Sequence, residues 1–110
     1  MQPTNALDGA RVEVRLVAVG KSGAGDPDVL EFAGGRFHST ACDPYGFGSG
    51  ACSTTKNGDA IEFTSTCTNA AGDRNEWRGT VRGDAVEGTY TCTPKQGAAM
   101  TGTYRGARKR

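Results

Sequence analysis

Hydrophobic and polar residues alternate with a period of two along most of the chain. In residues 60–68 and 85–93, "AIEFTSTCT" and "AVEGTYTCT", apolar or small residues alternate with Glu and Thr. Alternation of this kind, rich in Thr, is typical of strands that bury one face. Each segment follows a Gly-Asp pair, so both are interpreted as the return strands of hairpins. Residues 58–68 and 83–93 are identical at eight of eleven positions, which indicates either one hairpin module used twice or local convergence.

Three tight turns, at 34–35, 57–58 and 83–84, are predicted to set the register of three hairpins. A correct register places apolar residues opposite one another on one face of the sheet. The predicted pairs are Phe32 with Phe37 and Leu30 with Ser39 in the first hairpin, Thr54 with Ile61 and Cys52 with Phe63 in the second, and Val81 with Val86, Gly79 with Gly88 and Trp77 with Tyr90 in the third.

The complete pattern predicts an all-β fold of eight strands with no significant helix. Antiparallel strands joined in sequence close most simply into an up-and-down meander barrel, because closure leaves no free edge. The chain is divided into a flexible N-terminal arm (1–9), one barrel domain (10–107) and a basic C-terminal tail (108–110). The predicted strands are 10–19, 28–32, 36–42, 50–56, 60–68, 75–82, 85–93 and 100–107.

The connections between the predicted strands differ at the two ends of the barrel. One end, the tight-turn rim, has only the three tight turns. The other end, the loop-rich rim, has four longer connections, at 20–27, 43–49, 69–74 and 93–99. Binding residues are commonly placed on long loops held by a rigid scaffold. We therefore expect any ligand or partner to bind at the loop-rich rim.

Five aromatic residues are candidates for that binding site. Tyr45 and Phe47, in "DPYGFG", are predicted to lie exposed on the second of the long loops, where an exposed Phe indicates a partner. Trp77, Tyr90 and Tyr104 are predicted to point into the barrel near the same rim. The alternative is that these three rings fill the core beside glycines of the neighbouring strands.

Composition places the chain among small single domains with a thin core. Its 110 residues include 35% hydrophobic residues and seventeen Gly, a composition for which covalent crosslinks often add stability. Thirteen Lys and Arg against twelve Asp and Glu create no strong field toward nucleic acid or a membrane. No apolar run is long enough to span a bilayer, so membrane insertion is not expected.

Four cysteines, Cys42, Cys52, Cys67 and Cys92, are predicted to cluster at the loop-rich rim. Cysteines in a small Gly-rich chain favour an oxidising compartment. We expect a periplasmic or extracellular protein whose signal peptide was removed before Met1, or a cytoplasmic protein if the thiols are free. The preferred disulfides are Cys42–Cys52 and Cys67–Cys92, with free thiols and a metal site left open. In a regular sheet the second pair is ~10 Å apart, beyond the roughly 7 Å of a disulfide, unless the rim curves inward.

No catalytic or metal site is predicted. The cysteine spacing contains no C-x-x-C pair, which zinc sites often have. His38, the only histidine, is predicted to face solvent, so no Ser-His-Asp triad is expected. Carboxylates are scattered over turns and strand exteriors without an inward pair. We expect no enzyme activity, cofactor or nucleic-acid partner, and the basic end "RGARKR" is interpreted as a solvated terminus.

The segments "VEGTY" (86–90) and "MTGTY" (100–104), with "RGTV" at 78–81, resemble strands of the avidin and lipocalin-like (calycin) superfamily. The resemblance covers about the last third of the chain and implies a small ligand-binding barrel. The first-strand G-x-W of that superfamily is missing, and Trp77 is the only tryptophan, so the resemblance does not imply biotin binding.

Three hypotheses about function follow. The first is a secreted or periplasmic, monomeric, non-catalytic barrel that binds a small apolar ligand or a protein partner at its loop-rich rim. The second is a secreted inhibitor of a hydrolase that presents its loops or the N-terminal arm. The third is a thiol or metal protein built on the cysteine cluster. An interior cavity would favour the first, and a filled barrel with a protruding loop or arm would favour the second.

Overall fold

A computed structural model of the chain describes residues 2–3, 7–18, 25–40, 46–47 and 49–108. These residues form an all-β fold, and no α-helix occurs among them. The strands are β1 (Gln2–Pro3), β2 (Arg11–Ala18), β3 (Asp26–Ala33), β4 (Arg36–Ser39), β5 (Ser49–Asn57), β6 (Ala60–Thr68), β7 (Arg74–Arg82), β8 (Ala85–Thr93) and β9 (Met100–Arg108). The described part of the chain accordingly has no helix of the length and apolar character that a membrane span requires.

Strands β2 to β9 form a closed antiparallel barrel. Each strand pairs with the next along the chain, and β9 pairs with β2 to close the ring. The two-residue β1 pairs with residues 55–56 of β5, beyond the point where the short β4 has ended. The predicted eight-stranded up-and-down barrel is therefore confirmed, with β1 as a short addition beside β5.

The first and third hairpins have the register that the sequence predicts. Phe32 faces Phe37 across the 34–35 turn, and Trp77 faces Tyr90 across the 83–84 turn. The other predicted pairs of these two hairpins are also present. Matching of apolar residues on one face was thus enough to fix both registers.

The second hairpin turns at Gly58-Asp59, one residue later than predicted, and its register was predicted wrongly by two residues. Gly58 has a φ of +64°, and Gly83 has a φ of +62° at the same place in the repeated hairpin. A type I′ turn at 57–58 would require a positive φ at Asn57 as well, which is unfavourable for a residue other than Gly, whereas the observed turn requires it only at Gly58. Because the error is two residues, every side chain keeps its predicted face. In place of the predicted pairs, Lys56 faces Ile61, Thr54 faces Phe63 and Cys52 faces Ser65.

The inward-facing side chains form a filled core rich in aromatic rings. Phe32 and Phe63 meet edge to face with ring centroids 4.9 Å apart, a favourable aromatic geometry. Trp77 lies 5.5 Å from Tyr104. A Cβ atom at Gly79 would lie 2.5 Å from the Phe63 ring, so glycine makes room for that ring. The alternative in which the inward rings fill the core beside glycines is therefore confirmed.

Residues of the N-terminal segment take part in the barrel. Leu7 is buried in the core, with 1% of its surface exposed. The Gly9 N–H donates to the Phe32 carbonyl at 2.6 Å, and the Gly35 N–H donates to the Asp8 carboxylate at 3.2 Å. The described part of the expected N-terminal arm therefore belongs to the folded domain. Sequence alternation could not indicate this, because Leu7 stands alone among polar and small residues.

Candidate functional site

The strand ends that bear the four longer connections lie at one end of the barrel, as sequential antiparallel pairing requires. The structure describes all of the β6–β7 loop (69–73) and the β8–β9 loop (94–99), and parts of the other two. The tight turns lie at the opposite end. The predicted difference between the two rims is therefore present.

Asp73 joins two of these loops. Its Oδ1 accepts a hydrogen bond from the Lys95 N–H at 2.9 Å, and its Oδ2 accepts one from Asn69 Nδ2 at 3.1 Å. The Asp73 N–H donates to Asn69 Oδ1 at 2.9 Å. The Lys95 N–H, and secondly the Asn69 amide, lower the pKa of Asp73, because both bonds favour the ionised carboxylate. The 69–73 and 94–99 loops are thus held in one arrangement at neutral pH.

Met100 gives this end of the barrel an exposed hydrophobic side chain. It begins β9 directly after the 94–99 loop, and 56% of its surface is exposed. No other large hydrophobic residue in the described part of the chain is exposed in this way. Gly46 lies beside Asn69, so the end of the β4–β5 loop adjoins the same region. We call the surface formed by 69–73, 94–99 and Met100 the rim surface.

The structure places four of the five predicted aromatic residues in or against the core. Phe47, which we expected to be exposed, is only 7% exposed and packs in the main hydrophobic cluster, so that prediction is wrong. Its apolar ring gains more free energy by covering the core than by facing water. Trp77 and Tyr104 are buried inside the barrel as predicted, and Tyr90 is half-buried there. Tyr45 lies outside the described residues.

The inward rings occupy the space that an interior ligand would need. Trp77 and Tyr90 stack with centroids 5.4 Å apart. The Tyr104 hydroxyl donates to the Arg78 carbonyl at 2.9 Å, which satisfies its polar atom inside the core. Burial raises the pKa of Tyr104, so its phenol stays protonated. We therefore assign a structural role to these three aromatic residues.

Three of the four cysteines are described, and all three are free thiols on the inner face of the barrel: Cys52, Cys67 and Cys92. Asn75 of β7 lies between Cys67 and Cys92 in the sheet. The pair is therefore two strand spacings apart, ~10 Å. Both thiols are free, so the predicted Cys67–Cys92 disulfide is not formed, and β7 separates the two strands that bear them. Cys42 lies outside the described residues, and its predicted partner Cys52 has a free thiol.

Burial makes these thiols poor nucleophiles. Burial first, and then the nearby Cys67 and Asp8, raise the pKa of Cys52 to about 11. Burial also raises the pKa of Cys67 and of Cys92. The thiolate is the nucleophile and the metal ligand, so a raised pKa lowers the reactive fraction of all three thiols. In the ranges that the structure describes, no group of three or more His, Cys, Asp or Glu side chains is placed to hold a metal ion.

His38 lies on the outer face, as predicted, within a small surface group of charges. Its Nδ1 lies 3.1 Å from Glu31 Oε1. The other oxygen of Glu31 lies 3.2 Å from Arg11 Nε. Surface ion pairs of this kind contribute little to stability. We interpret the group as part of the solvated exterior.

A groove that the sequence analysis did not predict crosses the outside of the barrel. Its volume is about 810 Å³, and residues of β7, β8, β9 and β2 line it. The exposed Arg15, Arg78 and Arg105 lie along its sides, so we call it the arginine groove. Strand alternation puts these residues on the outer face. They become neighbours only because β9 pairs with both β8 and β2.

A comparison of the chain with protein families, with characterised proteins and with solved structures finds no match. The resemblance to calycins therefore rests on the Gly-Thr-Tyr segments of the sequence alone. Function must therefore be argued from the geometry of the chain itself.

Proposed function

We propose that this protein is a monomeric, non-catalytic binding module that docks a protein partner on the rim surface. The observation that carries the proposal is the fixed arrangement of the 69–73 and 94–99 loops around Asp73, beside the exposed Met100. Preordered loops lose little conformational entropy when they bind. An adaptable apolar side chain among polar neighbours can serve as the anchor of an interface.

The filled core supports a protein partner over a small apolar ligand. Phe32, Phe63, Trp77 and Tyr104 pack against one another where a calycin-like barrel would hold its ligand. A partner would therefore have to bind on the outer surface of the barrel. The closed ring of strands also leaves no long sheet edge for self-association, which supports a monomer.

The cellular compartment is part of the same proposal. Four cysteines in a chain with a thin hydrophobic core favour export to the periplasm or beyond. The free thiols of Cys52, Cys67 and Cys92 are instead the state expected in the cytoplasm. We propose export, and the thiol mapping described in the Discussion tests it.

The other two hypotheses receive less support. An inhibitor that inserts its N-terminal arm would need that segment free, whereas β1 pairs with β5 and Leu7 is buried. A thiol or metal protein would need ionised thiolates, whereas burial raises the pKa of all three described thiols. The filled core agrees with the inhibitor hypothesis and the free thiols agree with the thiol or metal hypothesis, but the free arm and the ionised thiolates that these hypotheses need are not supported.

Site-specific photo-crosslinking in cells that make the protein tests the proposal. A photoreactive amino acid replaces Ala98 on the rim surface, or Asp59, whose side chain is 88% exposed at the tight-turn rim. We expect one discrete adduct from position 98 and none from position 59. Adding Met100→Glu to the position-98 variant should abolish the adduct, because a charge at the anchor opposes desolvation.

Two controls make the result decisive. Unfolding midpoints should match among the variants, which shows that lost crosslinking does not come from lost folding. The same adduct from both rims, or an adduct that persists with Met100→Glu, would contradict docking on the rim surface.

A further inference from the structure

The arginine groove is built by the register of four strands. Gly79 of β7 faces Gly88 of β8, Gly88 faces Tyr104 of β9, and Tyr104 faces Leu16 of β2. The side chains of this row point into the barrel or are absent, so its backbone forms the floor of a groove on the outside. Three strand spacings make the groove about 14 Å long.

The two sides of the groove are the outward-facing rows on either side of this floor. Residues two apart on one strand are separated by about 7 Å, which sets the width of the groove. In strand order from β7 to β2, the first side is Thr80, Glu87, Arg105 and Arg15, and the second side is Arg78, Thr89, Thr103 and Val17.

Two of the groove arginines bring like charges together in the protein without a ligand. Arg15 lies directly opposite Arg105, and like charges at directly opposed positions destabilise a sheet. Among the described residues, ion pairs within 4 Å engage Arg11, Arg74 and Arg82 but none of the three groove arginines. Glu87 is the one carboxylate among the residues that line the groove, against three guanidinium groups. Glu87 lies directly opposite Arg105 and offsets one of the three charges, so the groove keeps a net positive charge.

We propose that the arginine groove binds a soluble oligophosphate. Guanidinium groups form paired, charge-assisted hydrogen bonds with phosphate oxygens. The hydroxyls of Thr80, Thr89 and Thr103 provide further donors along the sides. Arg78, on β7, lies on one side of the groove. Arg105, on β9, and Arg15, on β2, lie on the other side. A chain of phosphates can contact Arg78 near one end of the groove and Arg15 and Arg105 near the other end at the same time.

The chemistry of the groove favours this class over other anionic partners. Single-stranded nucleic acid gains much of its affinity from bases stacked on exposed aromatic rings. The one aromatic residue lining the groove, Tyr104, is 2% exposed and offers no face for stacking. An anionic membrane would contact a convex basic patch with apolar side chains, whereas these arginines flank a concave floor.

Isothermal titration calorimetry with inorganic tripolyphosphate at low ionic strength tests the proposal on the full chain. We expect binding to the natural protein, and a loss of affinity of about ten-fold or more in Arg78→Gln and in Arg105→Gln, since each removes a charge-assisted bond. Arg82→Gln is the matched control, because it removes the same charge from the outer face of the same strand as Arg78. That variant should bind within about two-fold of the natural protein.

Thermal unfolding provides a second measurement that does not depend on the heat of binding. At one concentration of tripolyphosphate, the melting temperature should rise by similar amounts in the natural protein and in Arg82→Gln, and by less in Arg105→Gln. No binding to the natural protein, or equal losses in all three variants, would overturn the proposal. It would also be overturned if glycerol phosphate or a single-stranded oligonucleotide bound more tightly than tripolyphosphate with the same dependence on Arg105.

Discussion

Phe47 lies in the connection between β4 and β5, but its side chain is part of the core, since only 7% of its surface is exposed. Phe47→Ala is therefore expected to lower the free energy of unfolding by about 3–5 kcal/mol, the usual cost of removing a buried ring. Urea unfolding followed by Trp77 fluorescence measures the change. Met100→Ala is the control at the same rim and should change stability by less than ~0.5 kcal/mol. Equally small effects of both substitutions would contradict the burial of Phe47.

The raised pKa of the Cys52 thiol leads us to expect a loss of stability at alkaline pH. Its pKa is about 11 in the folded protein against an ordinary value of 9.0. The folded state holds the Cys52 proton more tightly than the unfolded chain does. The protonated thiol therefore makes its full contribution to the free energy of unfolding below pH 9, and this contribution is lost as the pH rises to about 11. Thermal unfolding over this range should show a shallower decline for Cys52→Ala than for the natural protein. Buried groups such as Cys67 and Tyr104 will leave part of the decline in that variant.

The outcome that would contradict this prediction is an identical decline in both proteins. In that case Cys52 would titrate alike in the folded and unfolded states. Its thiol would then be accessible to water, in contrast to its position against the hydrophobic core.

At the scale of structural elements, one carboxylate holds two loops together. Asp73→Ala removes the acceptor of the Lys95 N–H, so that amide should exchange with solvent faster while the β8 amides keep their protection. Hydrogen exchange followed by NMR measures each amide separately. Asp59→Ala, at an exposed turn of the opposite rim, should leave the Lys95 exchange rate unchanged. Unchanged exchange in Asp73→Ala would show that the 94–99 loop is ordered by other contacts.

The hairpins show how far local patterns determine the elements. Strand alternation and turn glycines predicted the registers of two hairpins correctly. The register of the second hairpin was displaced. The internal repeat contained the answer, because aligning Gly58-Asp59 with Gly83-Asp84 gives the observed turn. A type I′ turn at Asn57-Gly58 would need a positive φ at both residues, whereas the observed turn needs it only at Gly58.

At the scale of the whole molecule, the closed barrel keeps Cys67 and Cys92 apart. Peptide mapping without reductant is expected to find no Cys67–Cys92 link in protein taken from its native compartment, because Asn75 lies between them in the sheet. Alkylation during unfolding, before digestion, prevents thiol exchange, and a reduced sample serves as the control. A linked pair would show that the rim curves inward more sharply than the observed sheet does.

The same experiment reports on the compartment. If the protein is exported with disulfides, we expect a disulfide other than Cys67–Cys92, such as one that involves Cys42. Reduction should then destabilise the fold by ~2–5 kcal/mol. Four alkylated cysteines in the unreduced sample would instead place the protein in a reducing compartment.

The sequence by itself determined the strands, the inner and outer faces, the difference between the two rims and the antiparallel pairing of consecutive strands. These features follow from alternation and turn chemistry, which act between residues close in the chain. Tertiary structure alone decided that Phe47 and Leu7 are buried, because an isolated apolar residue becomes buried only where distant strands leave space for it. The tertiary structure also forms the arginine groove. Arg15 and Arg105 are ninety positions apart in the chain and become neighbours only when β9 pairs with β2. No local pattern encodes that contact, because its energy arises only after the ring has formed.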